Sequence, residues 1–254
     1  MSETVMREIA VRTDDGTCPI FLHTPAGDGP WPGVILYMDG PGMRPAVHEI
    51  AARLAAAGYA VALPDLFYRA GPYAPIDAKA VFTNTELREQ HRKKYMATAS
   101  PENAMADTRA ILAALQDAPE VADGPIGVVG YCMGGRLALT AAGTFPDEIA
   151  AAASYHGGGL ANDQPSSPHL LAPRIKATVY VAGAIEDANF DDAQKGRLDA
   201  ALAEAGVDHV VETYPAKHGW VPRDTAVHDP AETEHHWQTL IPLFDRVLKG
   251  GATA

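Results

Sequence analysis

The fold is decided by one stretch, Ile126-Gly127-Val128-Val129-Gly130-Tyr131-Cys132-Met133-Gly134-Gly135. Its first residues form an apolar run typical of a strand buried on both faces, and a helical pattern follows from Met133. The stretch therefore predicts a Gly-x-nucleophile-x-Gly turn from strand to helix, with Cys132 where Ser is usual. Such a turn brings two backbones together, so Gly is needed at 130 and 134. It would lift the Cys132 sulfur to the top of the sheet, at a helix N-terminus that favours a thiolate.

Apolar runs alternate with helical patterns on both sides of this stretch. The alternation predicts an α/β fold, in which a mostly parallel, doubly wound sheet is flanked by helices. At the N-terminal end, Asp14-Asp15-Gly16 predicts the turn of an antiparallel hairpin. Strands are predicted over residues 5–12, 17–23, 33–38, 59–63, 126–129, 150–155, 177–181 and 210–213, and helices over 46–58, 104–115, 133–142, 192–205 and 230–248.

A polar segment, residues 69–103, interrupts this alternation. We expect it to form short helices that lie over the sheet edge, near the active site. No Pro- and Ser-rich linker and no internal repeat divides the chain, so residues 1–254 are expected to form a single domain. Because ligands of such sheets bind at the carboxyl ends of the strands, functional residues are sought in the loops that follow them.

The composition argues against several classes of protein. The 254 residues carry 20 Lys and Arg against 32 Asp and Glu, a net charge of −12, which disfavours nucleic acid and anionic membranes as partners. The basic run Arg92-Lys93-Lys94 is interpreted as a solvated helix face. No apolar run reaches the ~18 residues of a membrane helix, and the N-terminus lacks the apolar core of a signal peptide. The two cysteines, Cys18 and Cys132, therefore suggest a reducing, cytoplasmic setting.

A nucleophilic thiol needs a base, and His is the usual one. In enzymes with this turn the chain order is nucleophile, acid, His, with the last two in loops after later strands. Of the ten histidines, His218 fits because it follows the predicted strand 210–213. The loop after strand 177–181 offers Asp187 as the acid, and the adjacent Glu186 remains an alternative.

An attacked carbonyl also needs donors for its developing negative charge. One is the backbone N–H of Met133, the residue after the nucleophile, and the other is expected from the loop after the early strand. In that loop Gly40 can donate, whereas Pro41 cannot. Trp220, His156 and Tyr131 are further candidates for the walls of the pocket, although each could equally pack in the core or lie in an ordinary loop.

The turn Gly130-Tyr-Cys-Met-Gly-Gly135, the segment Leu63-Pro-Asp-Leu-Phe-Tyr-Arg69 and His218-Gly219 resemble the dienelactone hydrolase family of α/β-hydrolases. The resemblance extends from about residue 17 to 245. It implies the α/β-hydrolase fold and a triad of Cys132, His218 and Asp187. It also implies that Asp39, where the family usually has Glu, contacts the nucleophile. Arg69 matches an arginine that grips the carboxylate of the dienelactone; the place of a second such arginine holds Pro222, with Arg223 one residue later.

These observations predict an ester or lactone hydrolase that forms a thioester acyl-enzyme and needs no metal or cofactor. The expected partner is a small ester or lactone, and the chain is expected to be a monomer or a small homo-oligomer. A broad carboxylesterase or thioesterase is the nearest alternative. A non-catalytic hydrolase-fold binding protein and a thiol redox sensor are others, but a sensor usually has a resolving cysteine nearby, and Cys18 lies in the hairpin.

Overall fold

The strand that precedes Cys132 lies within an eight-stranded sheet in the computed structural model, which describes residues 2–250. The strands of the described residues are β1 (Thr4–Thr13), β2 (Gly16–Pro25), β3 (Gly33–Tyr37), β4 (Ala60–Pro64), β5 (Ile126–Tyr131), β6 (Ile149–Tyr155), β7 (Thr178–Ala184) and β8 (His209–Tyr214). Their order is β1-β2-β4-β3-β5-β6-β7-β8. The β1–β2 hairpin and the β2–β4 pair are antiparallel, and all later pairs are parallel. The predicted α/β-hydrolase sheet with its N-terminal hairpin is therefore confirmed.

Six α-helices of the described residues lie in the connections between the strands, and a seventh follows β8. They are α1 (Pro45–Ala56), α2 (Ala78–Thr83), α3 (Thr85–Lys94), α4 (Pro101–Gln116), α5 (Met133–Thr144), α6 (Asp192–Glu204) and α7 (Pro230–Phe244). Short 3₁₀ helices span Tyr68–Ala70, Met96–Ala99 and Pro168–Arg174, and a π-helical turn, Asp245–Lys249, follows α7. Over residues 2–250, every helix falls short of the length and apolar character required to cross a membrane.

The residues of β5 alternate between two helix layers. Tyr131 points to α7, where its hydroxyl lies 2.9 Å from Nε2 of His236. A side chain at Gly127 would meet Phe244 of the same helix. Gly130 instead faces α5 on the other side of the sheet. This alternation follows from the two-residue period of a strand and buries β5 on both faces.

Two glycines allow α5 to start immediately after β5. A Cβ atom at Gly130 would collide with the carbonyl of Gly134 and lie 2.7 Å from N of Gly135. At Gly134 it would collide with the carbonyl of Tyr37 and lie 2.6 Å from O of Met38. Between them Cys132 has a φ of 54°, in the left-handed region that non-glycine residues rarely occupy. The predicted turn is therefore present, with its strain at Cys132.

Most element boundaries differ from the predictions by a few residues. α4 begins at Pro101 rather than 104 because Ser100 caps it, its Oγ accepting from N of Asn103 at 3.2 Å. The last α-helix ends at Phe244 rather than 248.

Segment 69–103 forms short helices as expected, but Val81, Phe82 and Met96 help to line a cavity above Cys132. The segment therefore covers the carboxyl ends of the strands rather than the sheet edge. The single domain remains a prediction.

The substitution Gly134→Ala tests the close approach of α5 to β3. We expect a loss of at least about 3 kcal/mol in the free energy of unfolding, because the methyl group meets rigid backbone rather than a movable side chain. Gly196→Ala, within α6, is the matched control, since among residues 2–250 no atom outside the local helix backbone lies within 4 Å of its added Cβ. The control should gain up to about 1 kcal/mol in urea unfolding. Equal effects at both positions would contradict this account of the turn.

Candidate active site

Three side chains meet at the carboxyl ends of the parallel strands. Cys132 follows β5, Asp187 follows β7 and His218 follows β8. Nδ1 of His218 lies 2.7 Å from Oδ2 of Asp187, and the side chains are 17% and 2% exposed. Cys132 and His218 line the same cavity of about 800 Å³. The structure thus joins the predicted nucleophile, base and acid in a line that ends at an open volume.

Asp187, rather than Glu186, is the carboxylate beside His218. Its second oxygen, Oδ1, accepts from N and Nδ2 of Asn189 at 2.9 and 3.1 Å. Burial would raise the pKa of Asp187, but the hydrogen bonds from His218 and Asn189 hold that pKa below its ordinary value. Glu186 is exposed and has a φ of 53°. Of the two acids that the sequence left open, the structure thus brings Asp187, and not Glu186, into contact with His218.

The pKa of the His218 imidazole is raised above its ordinary value. Burial would lower the pKa of its imidazole, but the thiolate charge of Cys132 and the hydrogen bonds to Asp187 and Cys132 raise that pKa to about 10. His218 therefore keeps its proton at neutral pH whenever the neighbouring sulfur carries a negative charge. Such a pair holds a nucleophile and a proton donor side by side.

Two backbone N–H groups lie where the sequence predicts donors. Met133 is the first residue of α5, so its N–H has no partner within the helix. Gly40 follows β3 and lines the cavity. Among residues 2–250, neither N–H donates a hydrogen bond to the protein. The carbonyl of Gly40 accepts from Nε2 of His91 at 2.7 Å, and a Cβ at Gly40 would lie 3.2 Å from Met96. Segment 69–103 is thereby attached to this loop.

His156 and Trp220 pack behind His218 rather than forming the cavity wall. The ring centroid of His156 lies 5.4 Å from that of His218 and 4.8 Å from that of Trp220. Both residues are fully buried, and His156 has a φ of 42°. Burial lowers the pKa of His156 well below its ordinary value, so this ring is neutral. Tyr131 is also buried and faces α7, so its side chain belongs to the core.

Asp39 is paired with Arg44 rather than with Cys132. Its two carboxylate oxygens accept from Nη1 and Nη2 of Arg44 at 2.5 and 2.8 Å, and Arg44 also donates to Asp224 at 2.6 and 3.1 Å. Asp39 and Arg44 are both buried. Asp39 makes no hydrogen bond to Cys132 in the described chain, so it anchors the loop that carries Gly40 instead of contacting the nucleophile as expected.

Arg69 lies outside the cavity, which corrects its assignment to the carboxylate of the substrate. Its guanidinium donates to both oxygens of Asp107 at 2.7 and 2.8 Å and to Asp15 at 2.8 Å. Asp107 is fully buried, so Arg69 neutralises a carboxylate of the protein itself. Arg223 is 65% exposed and pairs with Glu49, and it too is absent from the cavity lining.

Three other arginines line the cavity: Arg88 and Arg92 of α3 and Arg136 of α5. Arg92 was assigned to a solvated helix face, and it is exposed and paired with Glu89, but it also borders the cavity. Sequence reasoning missed Arg88 and Arg136. For Arg136 a signal exists, because it lies one helical turn after Cys132 on a helix whose start was predicted.

Comparison with known proteins identifies relatives over nearly the whole chain. The model of the dienelactone hydrolase family matches residues 19–248. A carboxymethylenebutenolidase of Rhodococcus opacus is 25% identical over 246 residues, which cover 93% of this chain and 90% of that protein. A carboxymethylenebutenolidase of Pseudomonas putida is 30% identical over 169 residues, which cover 66% of this chain and 67% of that protein.

Solved structures share the fold. A dienelactone hydrolase-like promiscuous phosphotriesterase from metagenomic libraries superimposes with a TM-score of 0.78 at 22% identity, covering 96% of this chain and 98% of that one. A dienelactone hydrolase of Anabaena variabilis gives a TM-score of 0.68 at 18% identity, covering 96% and 99%. At these identities the likeness concerns the fold alone.

The raised pKa of His218 can be measured by following its Cε1 proton by NMR. We expect a titration near pH 10 in the native protein and a lower pKa in Cys132→Ala, because the thiolate charge is gone. Since the folded pKa lies above the ordinary 6.5, the stabilisation is complete below pH 6.5 and is lost as the pH rises through about 10. Cys18→Ala, in the hairpin, is the control and should leave the titration in place. An unchanged pKa in Cys132→Ala would contradict the ion pair.

The structural role of Arg69 predicts a stability defect without a substrate defect. Arg69→Gln leaves the buried Asp107 unpaired and should cost about 3 kcal/mol in urea unfolding. Arg246→Gln removes an exposed pair with Asp208 and should change that value by less than about 1 kcal/mol. In the folded Arg69 variant the KM for the lactone should stay within about threefold of the native value, a difference of ~0.7 kcal/mol. The reason is that Arg69 does not line the cavity. A large rise in KM at unchanged stability would instead indicate that Arg69 binds the substrate.

Proposed function

This chain belongs to the dienelactone hydrolase family, and from that premise we propose that it hydrolyses esters or lactones with Cys132 as nucleophile, His218 as general base and acid, and Asp187 as the residue that orients His218. The single observation that carries the proposal is the line from Asp187 through His218 to a thiol that stands at the start of α5 and faces a cavity. This arrangement of nucleophile, base and orienting acid is the common requirement of covalent acyl transfer.

Acylation begins with attack of the Cys132 thiolate on the carbonyl carbon. The carbonyl oxygen becomes negatively charged and is held by the N–H groups of Met133 and Gly40. As the tetrahedral intermediate collapses, the carbon–oxygen bond to the leaving group breaks. His218, already an imidazolium, transfers its proton to the departing oxygen. The product of this half-reaction is a thioester on Cys132 and a neutral imidazole.

Deacylation uses the same groups. Neutral His218 takes a proton from water, and the hydroxide attacks the thioester carbonyl in the same oxyanion site. The carbon–sulfur bond then breaks, and the acid is released with the thiolate restored beside the imidazolium. Because a thiolate expels an alkoxide or an amide nitrogen reluctantly, activated enol esters and lactones suit this site better than peptides.

The charge of the cavity supports an anionic substrate. Its lining contains Arg88, Arg92 and Arg136, and within the described chain no Asp or Glu lines it. This concentration of positive charge contrasts with the net charge of −12. Fixed cations raise the local concentration of anions in a cleft. The carboxylate of a lactone would therefore be held by cavity arginines rather than by Arg69.

Kinetics of a dienelactone and of p-nitrophenyl acetate test the proposal. Cys132→Ala should lower kcat/KM by at least about 10³-fold, because no other group replaces the nucleophile. Asp187→Asn should lower it by about 10²-fold or more, because the imidazole loses its tautomer and orientation. Glu186→Gln is the matched control on the neighbouring residue and should change it by less than about threefold, given its exposure.

The two substrates separate the possible outcomes. Turnover of the lactone that depends on Cys132 supports the family activity. Turnover of p-nitrophenyl acetate alone keeps the mechanism and favours a broad carboxylesterase or thioesterase. Full activity in Cys132→Ala, or a Glu186→Gln variant that is less active than Asp187→Asn, overturns the assignment of residues.

A further inference from the structure

Arg136 is a cation without a carboxylate partner in the described chain. Its Nη2 donates to O and Oγ of Ser166 at 3.2 and 3.0 Å, which fixes the guanidinium. Its Nε is buried and has no hydrogen-bond partner among residues 2–250. Burial lowers the pKa of Arg136, yet an arginine keeps its charge at neutral pH. The protein therefore holds an uncompensated cation beside the cavity.

A second donor stands next to this cation. A Cβ atom at Gly159 would lie 3.8 Å from Nη1 of Arg136 and 2.8 Å from Nδ2 of Asn162. The two side chains therefore flank Gly159, and all three residues line the cavity. Oδ1 of Asn162 accepts from N of Gln164 at 3.0 Å, which holds the amide with its nitrogen toward Gly159. A guanidinium and an amide nitrogen around a glycine form a small wall of donors.

This wall lies on the His218 side of the nucleophile. A Cβ at Gly158 would lie 3.9 Å from Cε1 of His218, and a Cβ at the next residue, Gly159, would lie 3.8 Å from Nη1 of Arg136. Arg88, Arg92 and Met96 line the same cavity, and their segment is attached to the oxyanion loop through the contacts of His91 and Met96 with Gly40. In acyl transfer the leaving group departs toward the base that protonates it, away from the oxyanion donors.

We propose that Arg136 and Asn162 form an anion subsite for the leaving-group portion of the substrate. The preferred ester or lactone would then carry a carboxylate on its alcohol or enol part, which in a lactone stays attached to the acyl part after ring opening. The inference rests on the proposed function, because it takes its direction from His218. Arg88 and Arg92, both on α3, would serve a separate anionic group.

The test compares 4-acetoxybenzoate, whose leaving group is an anion, with its neutral counterpart methyl 4-acetoxybenzoate. The measured quantity is the ratio of the two kcat/KM values. Arg136→Gln should lower this ratio by roughly 10-fold or more, the effect of losing a charge-assisted hydrogen bond. Arg136→Lys, which keeps the charge, should restore part of it. Lys176→Gln, an exposed cation paired with Asp147, controls for net charge and should leave the ratio unchanged.

Two results would overturn the subsite. One is an unchanged ratio in Arg136→Gln protein whose melting temperature shows that it is folded. The other is a larger effect of that substitution on 4-nitrophenyl hydrogen succinate, where the carboxylate is on the acyl part, measured against 4-nitrophenyl butyrate.

Binding separates this inference from the proposed function. Calorimetry should give tighter binding of 4-hydroxybenzoate than of methyl 4-hydroxybenzoate to the native protein, and Arg136→Gln should remove the difference. This readout does not depend on turnover. If Cys132→Ala retains activity while the binding difference follows Arg136, the mechanism fails and the subsite stands. If turnover depends on Cys132 but binding ignores Arg136, the subsite fails alone.

Discussion

The site depends on two close backbone approaches, that of Gly130 to the first turn of α5 and that of Gly134 to the carbonyls of Tyr37 and Met38 at the end of β3. No side chain fits at either glycine, so these approaches alone allow α5 to begin one residue after the strained Cys132. From that geometry follow the position of the thiol, the free N–H of Met133 and the cavity wall at Arg136 one turn later. The strain at Cys132 costs of order 1–3 kcal/mol and persists only because the surrounding sheet and helix fix it.

Ion pairing decides which charged residues are available to a substrate. Arg44 is buried against Asp39 and also pairs with Asp224, whereas Arg69, largely covered, pairs with the buried Asp107. The Arg44–Asp39 pair anchors the loop that carries Gly40. Arg136 has no carboxylate partner among the described residues. An acidic protein thereby presents a cationic cavity: its acids neutralise the structural arginines and are absent from the described cavity lining.

Much of the fold and the core of the site follow from the sequence. The apolar runs predict the strands because their period is local, and the order Cys132, Asp187, His218 follows from the loops after those strands. Choosing Asp187 over Glu186 required backbone conformation, since the positive φ of Glu186 leaves only its neighbour directed at His218. Arg69 was misassigned because its partner Asp107 lies 38 residues away, a separation that no local pattern reveals. Arg88 and Arg136 were missed because the side of the cavity they line depends on how α3 and α5 pack.

The most direct test of the central claim is mass spectrometry of the protein quenched in acid during turnover of p-nitrophenyl acetate. The account predicts a transient gain of one acetyl group on the peptide that contains Cys132, sensitive to hydroxylamine as a thioester is. His218→Ala should prolong the acetylated state of any protein that forms it, because water is no longer activated. Acetylation confined to another residue, or steady turnover in Cys132→Ala, would contradict the assignment of Cys132 as the nucleophile.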